Sequence, residues 1–165
     1  MTPVNPDVAS LSARIAAASG WYHRLILLHP PAGVADGSGL QSLAAELGIL
    51  YVNVSLALSE ALLPLPRSER AAHVGPVLES IVAGGHEPCV LLDRIEVLFQ
   101  PDLRVEVLAR LRQLSRQRTL VVTWPGQWSG GTLTYASFEH PEHLEERGIE
   151  PLSVFPLSPI GIPQP

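Results

Sequence analysis

The chain contains no lysine: all eleven of its basic residues are arginine. Any step that needs an ammonium must therefore draw it from outside the chain. A single cysteine, Cys89, stands in an apolar run, so an internal disulfide framework is excluded and a reducing, cytoplasmic setting is expected. No apolar run approaches the roughly 20 residues of a membrane span. The start, Met1-Thr2-Pro3-Val4-Asn5-Pro6, has neither the charge nor the apolar core of a signal peptide. A net charge of −5 argues against a simple electrostatic coat for DNA. What is present is a globular balance, 46% hydrophobic and 16% charged over 165 residues, enough for one domain with a real core.

Apolar spacing organises that core. Asn5-Pro6-Asp7 reads as a helix start, followed by Val8, Leu11, Ile15 and Ala18 at helical spacing and a stop at Gly20. Leu25-Ile26-Leu27-Leu28 is wholly apolar, as a strand covered on both faces should be. A Pro/Gly turn spans His29 to Gly39, and Leu40, Leu43, Ala44 and Leu47 then form one helix face closed by Gly48. Further strands are expected at Leu50–Val54, at Cys89–Leu92 ending on Asp93, and at Thr119–Thr123. Helices are expected over Ser55–Leu63, around Val74–Ile81 with Pro76 kinking or delaying it, and through Leu103, Val107, Leu108, Leu111 and Leu114. Gln127–Tyr135 reads as a hairpin turning at Gly130-Gly131. The prolines after Pro151 are expected to break any regular element. Alternating strands and helices predict an α/β fold, a mostly parallel sheet in three layers, with residues 1–150 as its domain and 151–165 as an extended, Pro-rich tail.

The turn after the first strand lies where a phosphate cradle belongs, because consecutive backbone N–H groups and a helix N-terminus together hold an anion. In a P-loop, a Lys after the glycine-rich tip reaches the outer phosphates and a Ser or Thr then holds the metal. Placing Gly37-Ser38-Gly39 at that tip puts Leu40 at the lysine position and Gln41 at the hydroxyl position. The layout is that of a P-loop NTPase-like scaffold for ATP and Mg²⁺ without the means of an ordinary NTPase. An ordinary strand-to-helix turn is the plain alternative.

Asp93 ends an apolar strand, the place of the acid that holds magnesium through water in such folds, although a helix cap would use the same residue. Arg94 follows it where a catalytic carboxylate often stands, and Glu96 becomes a general base only if the turn brings it round. Thr123 ends the next strand, where a polar side chain senses the outer phosphate, though Thr is also common in strands. Arg104, Arg110, Arg112, Arg116 and Arg118 crowd one helix and its exit. Read boldly, Arg118 reaches a neighbouring subunit's site, or the group meets DNA phosphates; read plainly, they form a solvated face. His140 and His143 flank Pro141 with no further Cys/His pair, which makes no zinc set.

Leu91–Phe99, Leu114–Thr119 and Val121–Gly126, with Val52-Asn53-Val54, Leu58-Ser59, Leu62-Leu63, Leu133–Ala136 and His140-Pro141-Glu142, resemble the BrxF family of small P-loop proteins from type 3 BREX phage-defence systems. Their order and spacing agree from about Arg24 to Glu142. The resemblance implies a compact AAA-type core without a lid, working beside other BREX proteins against phage DNA, with self-association possible. The departure is Gly39-Leu40-Gln41, where that family carries Gly-Lys-Ser/Thr. The expectation is an assembly or regulatory partner with at most weak ATPase activity. The alternatives are an ATPase subunit completed by a partner's lysine, and a DNA-binding accessory protein.

Overall fold

Leu25 to Leu28 are apolar on both sides of the pleat, and the structure gives them two cores to enter. The computed structural model describes residues 6–29, 38–150 and 153–157. Helix α1 (Pro6–Ala18) precedes strand β1 (Leu25–His29), and α2 (Ser38–Leu47) leads to β2 (Leu50–Asn53). Helices α3 (Val54–Leu62) and α4 (Arg67–Ala83) lead to β3 (Cys89–Asp93). Two short 3-10 turns, η1 (Ile95–Phe99) and η2 (Pro101–Leu103), and then α5 (Val107–Leu114), lead to β4 (Thr119–Thr123). The rest forms β5 (Gln127–Ser129), β6 (Thr132–Tyr135), β7 (Leu144–Glu146) and β8 (Val154–Pro156). The main sheet is five-stranded and parallel, in the order β2-β3-β4-β1-β8.

Strand residues alternate between the two cores. Leu25, Leu27, Val90, Leu92, Leu120 and Val122 pack with α3, α4, α5 and η1, whereas Ile26, Leu28, Leu91 and Val121 pack with α1 and α2. Such burial contributes about 1.5–3 kcal/mol per large side chain. The link from β1 to β2 thus runs over one face, and those from β2 to β3 and from β3 to β4 run back over the other. That reversal keeps a single hand of crossover. It also makes the β1/β4 boundary the point where connections diverge, and parallel α/β sheets offer their crevice there, beyond the C-terminal strand ends.

Local sequence explains where the elements stop. Asn53 ends β2 one residue before the expected Val54, because its side chain accepts the Leu56 N–H at 3.0 Å and caps α3. Pro76 lies inside α4 without ending it, and the helix holds because Val74, Leu78 and Val82 are buried. The single helix expected through Leu103 to Leu114 is instead η2 followed by α5. Arg104 between them takes left-handed backbone, φ 54°, which a helix interior does not allow.

The C-terminal part departs furthest from expectation. The Gly130-Gly131 hairpin forms as β5 and β6, and β7 extends it to a three-stranded antiparallel sheet. Trp124 is fully buried beneath it and donates its Nε1–H to the Thr134 carbonyl at 3.1 Å. Gly126 permits this close approach, since a Cβ there would stand 1.7 Å from the Thr134 carbonyl oxygen. The prolines after Pro151 do not break all regular structure: Val154–Pro156 is an edge strand paired in parallel with β1. An edge position tolerates Pro156, because a missing N–H costs nothing on the side without a partner. Asn5, residues 30–37, Pro151 and Leu152, and residues 158–165 lie outside the described residues. Among the described residues no helix is long and apolar enough to cross a membrane.

Candidate functional site

Three neighbouring strand ends define the site. Leu28 pairs with Thr123, and Leu92 with Val122, so β1, β4 and β3 finish side by side. The alternation that sends Leu28, Leu91 and Val121 toward α1 and α2 directs Asp93 and Thr123 to that same face. Helix α2 begins on that face at Ser38, with Gly39 in its first turn, while Gly37 lies outside the described residues. Asp93 and Thr123 thus share the sheet face on which α2 packs.

Each polar group has a distinct environment. Asp93 is buried, with 2% exposure, and its Oδ2 accepts the Tyr51 hydroxyl at 2.5 Å. Burial first, and then this bond to a carboxylate, push the Tyr51 phenol above its ordinary pKa. Tyr51 pairs with Leu91 while Asp93 pairs with Asn53, so the bond is a diagonal contact across two strands. Next to it, the Arg94 carbonyl accepts both the backbone N–H of Ser55 at 2.9 Å and its hydroxyl at 2.6 Å. These bonds pin the first turn of α3 against the end of β3, with Arg94 itself in left-handed backbone, φ 56°. The Thr123 hydroxyl oxygen is buried with no hydrogen-bond partner among the described residues.

Other residues singled out by the sequence sit elsewhere. Glu96 lies in η1, and its charge bears on Tyr135 of β6, whose phenol is raised by burial, by Glu142 and by Glu96. That is the side of the three-stranded sheet, across the main sheet from the face of Asp93 and Thr123. Arg118 is at the opposite edge, immediately before β4, with its side chain only 12% exposed. It donates to the Val82 carbonyl at 2.9 Å and to the Gly84 and Glu87 carbonyls, and its charge lies 3.7 Å from Glu87 Oε2. Its guanidinium ties the α4–β3 loop to β4. Arg104 is exposed and, with Arg67 and Arg70, lines an open groove of about 620 Å³ between η2 and the start of α4. His140 and His143 serve a local turn: the Glu142 N–H donates to His140 Nδ1, and His143 Nδ1 lies 3.2 Å from the Ala136 carbonyl.

Leu40 packs onto the α1/α2 core, and Gln41 is exposed. No cluster of three or more His, Cys, Asp or Glu occurs among the described residues. Sequence reasoning missed Tyr51, which is 42 residues from Asp93; its only signal was sharing a strand face with Asn53. No protein-family model matches the sequence, and no curated protein matches it either.

Proposed function

We propose that this chain is a P-loop-like domain whose phosphate turn has lost its grip on nucleotide. It serves in the cytoplasm as an assembly partner in a BREX-type defence against phage DNA. The defence context rests on the resemblance of Leu91–Phe99, Leu114–Gly126 and the shorter segments to that family. The non-catalytic reading rests on one observation above all: Leu40, where a lysine would have to stand, is partly buried against the α1/α2 core and supplies no ammonium. Two further features support it. One Asp93 oxygen is taken up by the Tyr51 hydroxyl, and the Glu96 carboxylate lies toward the three-stranded sheet.

The scaffold itself suits docking. Arg67 and Arg104, with Asp102 beside them and Arg70 bonded to the Leu65 and Leu63 carbonyls, give one flank an open groove of net positive charge suited to an acidic or phosphate-bearing surface on another subunit. This gives Arg104 the cross-interface part that the sequence suggested for Arg118, whose guanidinium is engaged within the fold.

The test is to release small molecules from freshly purified protein and to measure ATP turnover. The expected result is neither adenine nucleotide nor turnover, and Asp93→Ala changes nothing in either measurement. Turnover at about 1 per second or faster would reject the reading.

A further inference from the structure

The edge where the parallel strands begin, opposite Asp93 and Thr123, carries a second surface. The segment Trp21–Arg24 lies against the exit of α5. His23 Nδ1 is 3.1 Å from the Arg112 carbonyl, and the Arg24 guanidinium donates to the Arg116 carbonyl at 2.7 Å. Arg116 returns across the same junction, its guanidinium carbon 4.2 Å from the centroid of the Tyr22 ring. The His23 ring meets Tyr22 edge-on at 4.7 Å. Tyr22 stays 67% exposed although it is one of only nine aromatic (Phe, Trp, Tyr) residues in the chain.

Charge is segregated here. The protein carries 16 acidic residues, yet none falls between Val8 and Leu28 or between Val107 and Arg118. Among the described residues, Arg24, Arg112 and Arg116 meet no carboxylate, unlike Arg118 with Glu87 and Arg147 with Glu145. One guanidinium, that of Arg116, thus stands over an exposed aromatic ring, with Arg24 bonded to the same junction and Arg112 one turn before Arg116, on a chain whose net charge is −5.

We propose that this edge binds single-stranded nucleic acid. Arg24, Arg112 and Arg116 meet the phosphates, and the Tyr22–Arg116 stack accepts a base. An unpaired base offers a flat face to such a stack, and each one contributes appreciably to binding whatever its identity. A duplex hides those faces, and an acidic peptide such as polyglutamate has no aromatic face to stack on the ring. The surface lies across the sheet from the phosphate-turn site and does not rest on any reading of that site.

Fluorescence anisotropy of the full chain with a labelled oligothymidylate of roughly 15 nucleotides tests this. At about 50 mM salt the expected dissociation constant is on the order of 10 μM, and three phosphate contacts predict roughly twenty-fold weaker binding at about 200 mM. Tyr22→Ala weakens binding about ten-fold with the salt slope unchanged, and Tyr22→Phe restores it. Arg112→Ala combined with Arg116→Ala weakens binding about ten-fold and flattens the slope, while Arg147→Ala binds normally. Circular-dichroism melts verify folding, and Arg116→Gln stands in should the double variant not fold. Absence of binding at about 50 mM salt overturns the proposal. So does binding that Tyr22→Ala leaves intact, or equal affinity for duplex DNA or polyglutamate.

Discussion

Asp93 closes β3 at one edge of the sheet and Arg118 opens the way into β4 at the other, yet their surroundings differ. Arg118 donates to three backbone carbonyls and lies near Glu87. Asp93 has the Tyr51 hydroxyl, and the adjacent Thr123 hydroxyl has no partner among the described residues. A buried polar group with all its bonds made stabilises the fold, whereas one with bonds unmade costs the fold free energy. The comparison assigns the Arg118 side chain to holding loops together. It leaves Asp93 and Thr123 as the less saturated pair of the two.

The largest expected effect is at Arg118. Arg118→Ala strands the carbonyls of Val82, Gly84 and Glu87 and should lower unfolding free energy in urea by about 3 kcal/mol. Arg118→Lys should recover only part of it, since one ammonium does not match a planar fork. A loss under about 1 kcal/mol would erase the contrast between the edges.

Tyr51→Phe should cost about 2 kcal/mol by leaving a buried carboxylate without its donor. Asp93→Asn should cost less, because an amide oxygen still accepts from Tyr51. Equal losses for the two would mean that Asp93 has other partners of similar weight.

Cys89 begins the strand that Asp93 ends, and it responds to pH. Burial pushes its thiol up from 9.0 to about 12, and the Arg118 charge pulls it partly back. The folded protein therefore keeps the proton that the unfolded chain loses. This contribution is full below pH 9 and is lost as pH climbs toward about 12. Unfolding free energy should fall by up to about 1.4 kcal/mol per pH unit in that window, with a flatter profile for Cys89→Ala. Tyr51 adds a further decline of the same sign at higher pH, since its phenol is also raised.

The smallest effect is expected at Thr123. Thr123→Val replaces a buried hydroxyl that has no partner by a methyl of similar size, so stability should stay within about 0.5 kcal/mol or rise. A loss above about 1 kcal/mol would show that the hydroxyl is bonded after all and would narrow the difference between the edges.

What the sequence revealed follows from how far apart the cooperating residues lie. Leu25–Leu28, Cys89–Asp93 and Thr119–Thr123 are legible because a strand covered on both faces must be apolar throughout, and the polar residue that ends each one is visible beside it. Tyr51 with Asp93 and Ser55 with Arg94 are not legible, since each bond depends on how β2 and α3 come to lie beside β3. Arg118 looks like an exposed finger in a run of arginines, because the carbonyls that claim it come from 31 to 36 residues earlier. The strand Val154–Pro156 was hidden by Pro156 and the prolines around it, since a strand proline is tolerated at a sheet edge.

The double-sided burial of β1 has a consequence for folding. Sliding β1 by one residue exchanges Leu25 and Leu27 for Ile26 and Leu28, so hydrophobicity hardly distinguishes the right alignment from the wrong one. The index marks must be the polar flanks: a slip in either direction would drag Arg24 or His29 into the sheet interior. Arg24, held by its guanidinium at Arg116 and by its carbonyl at the N–H of Leu120, is then the stop that prevents a misaligned sheet.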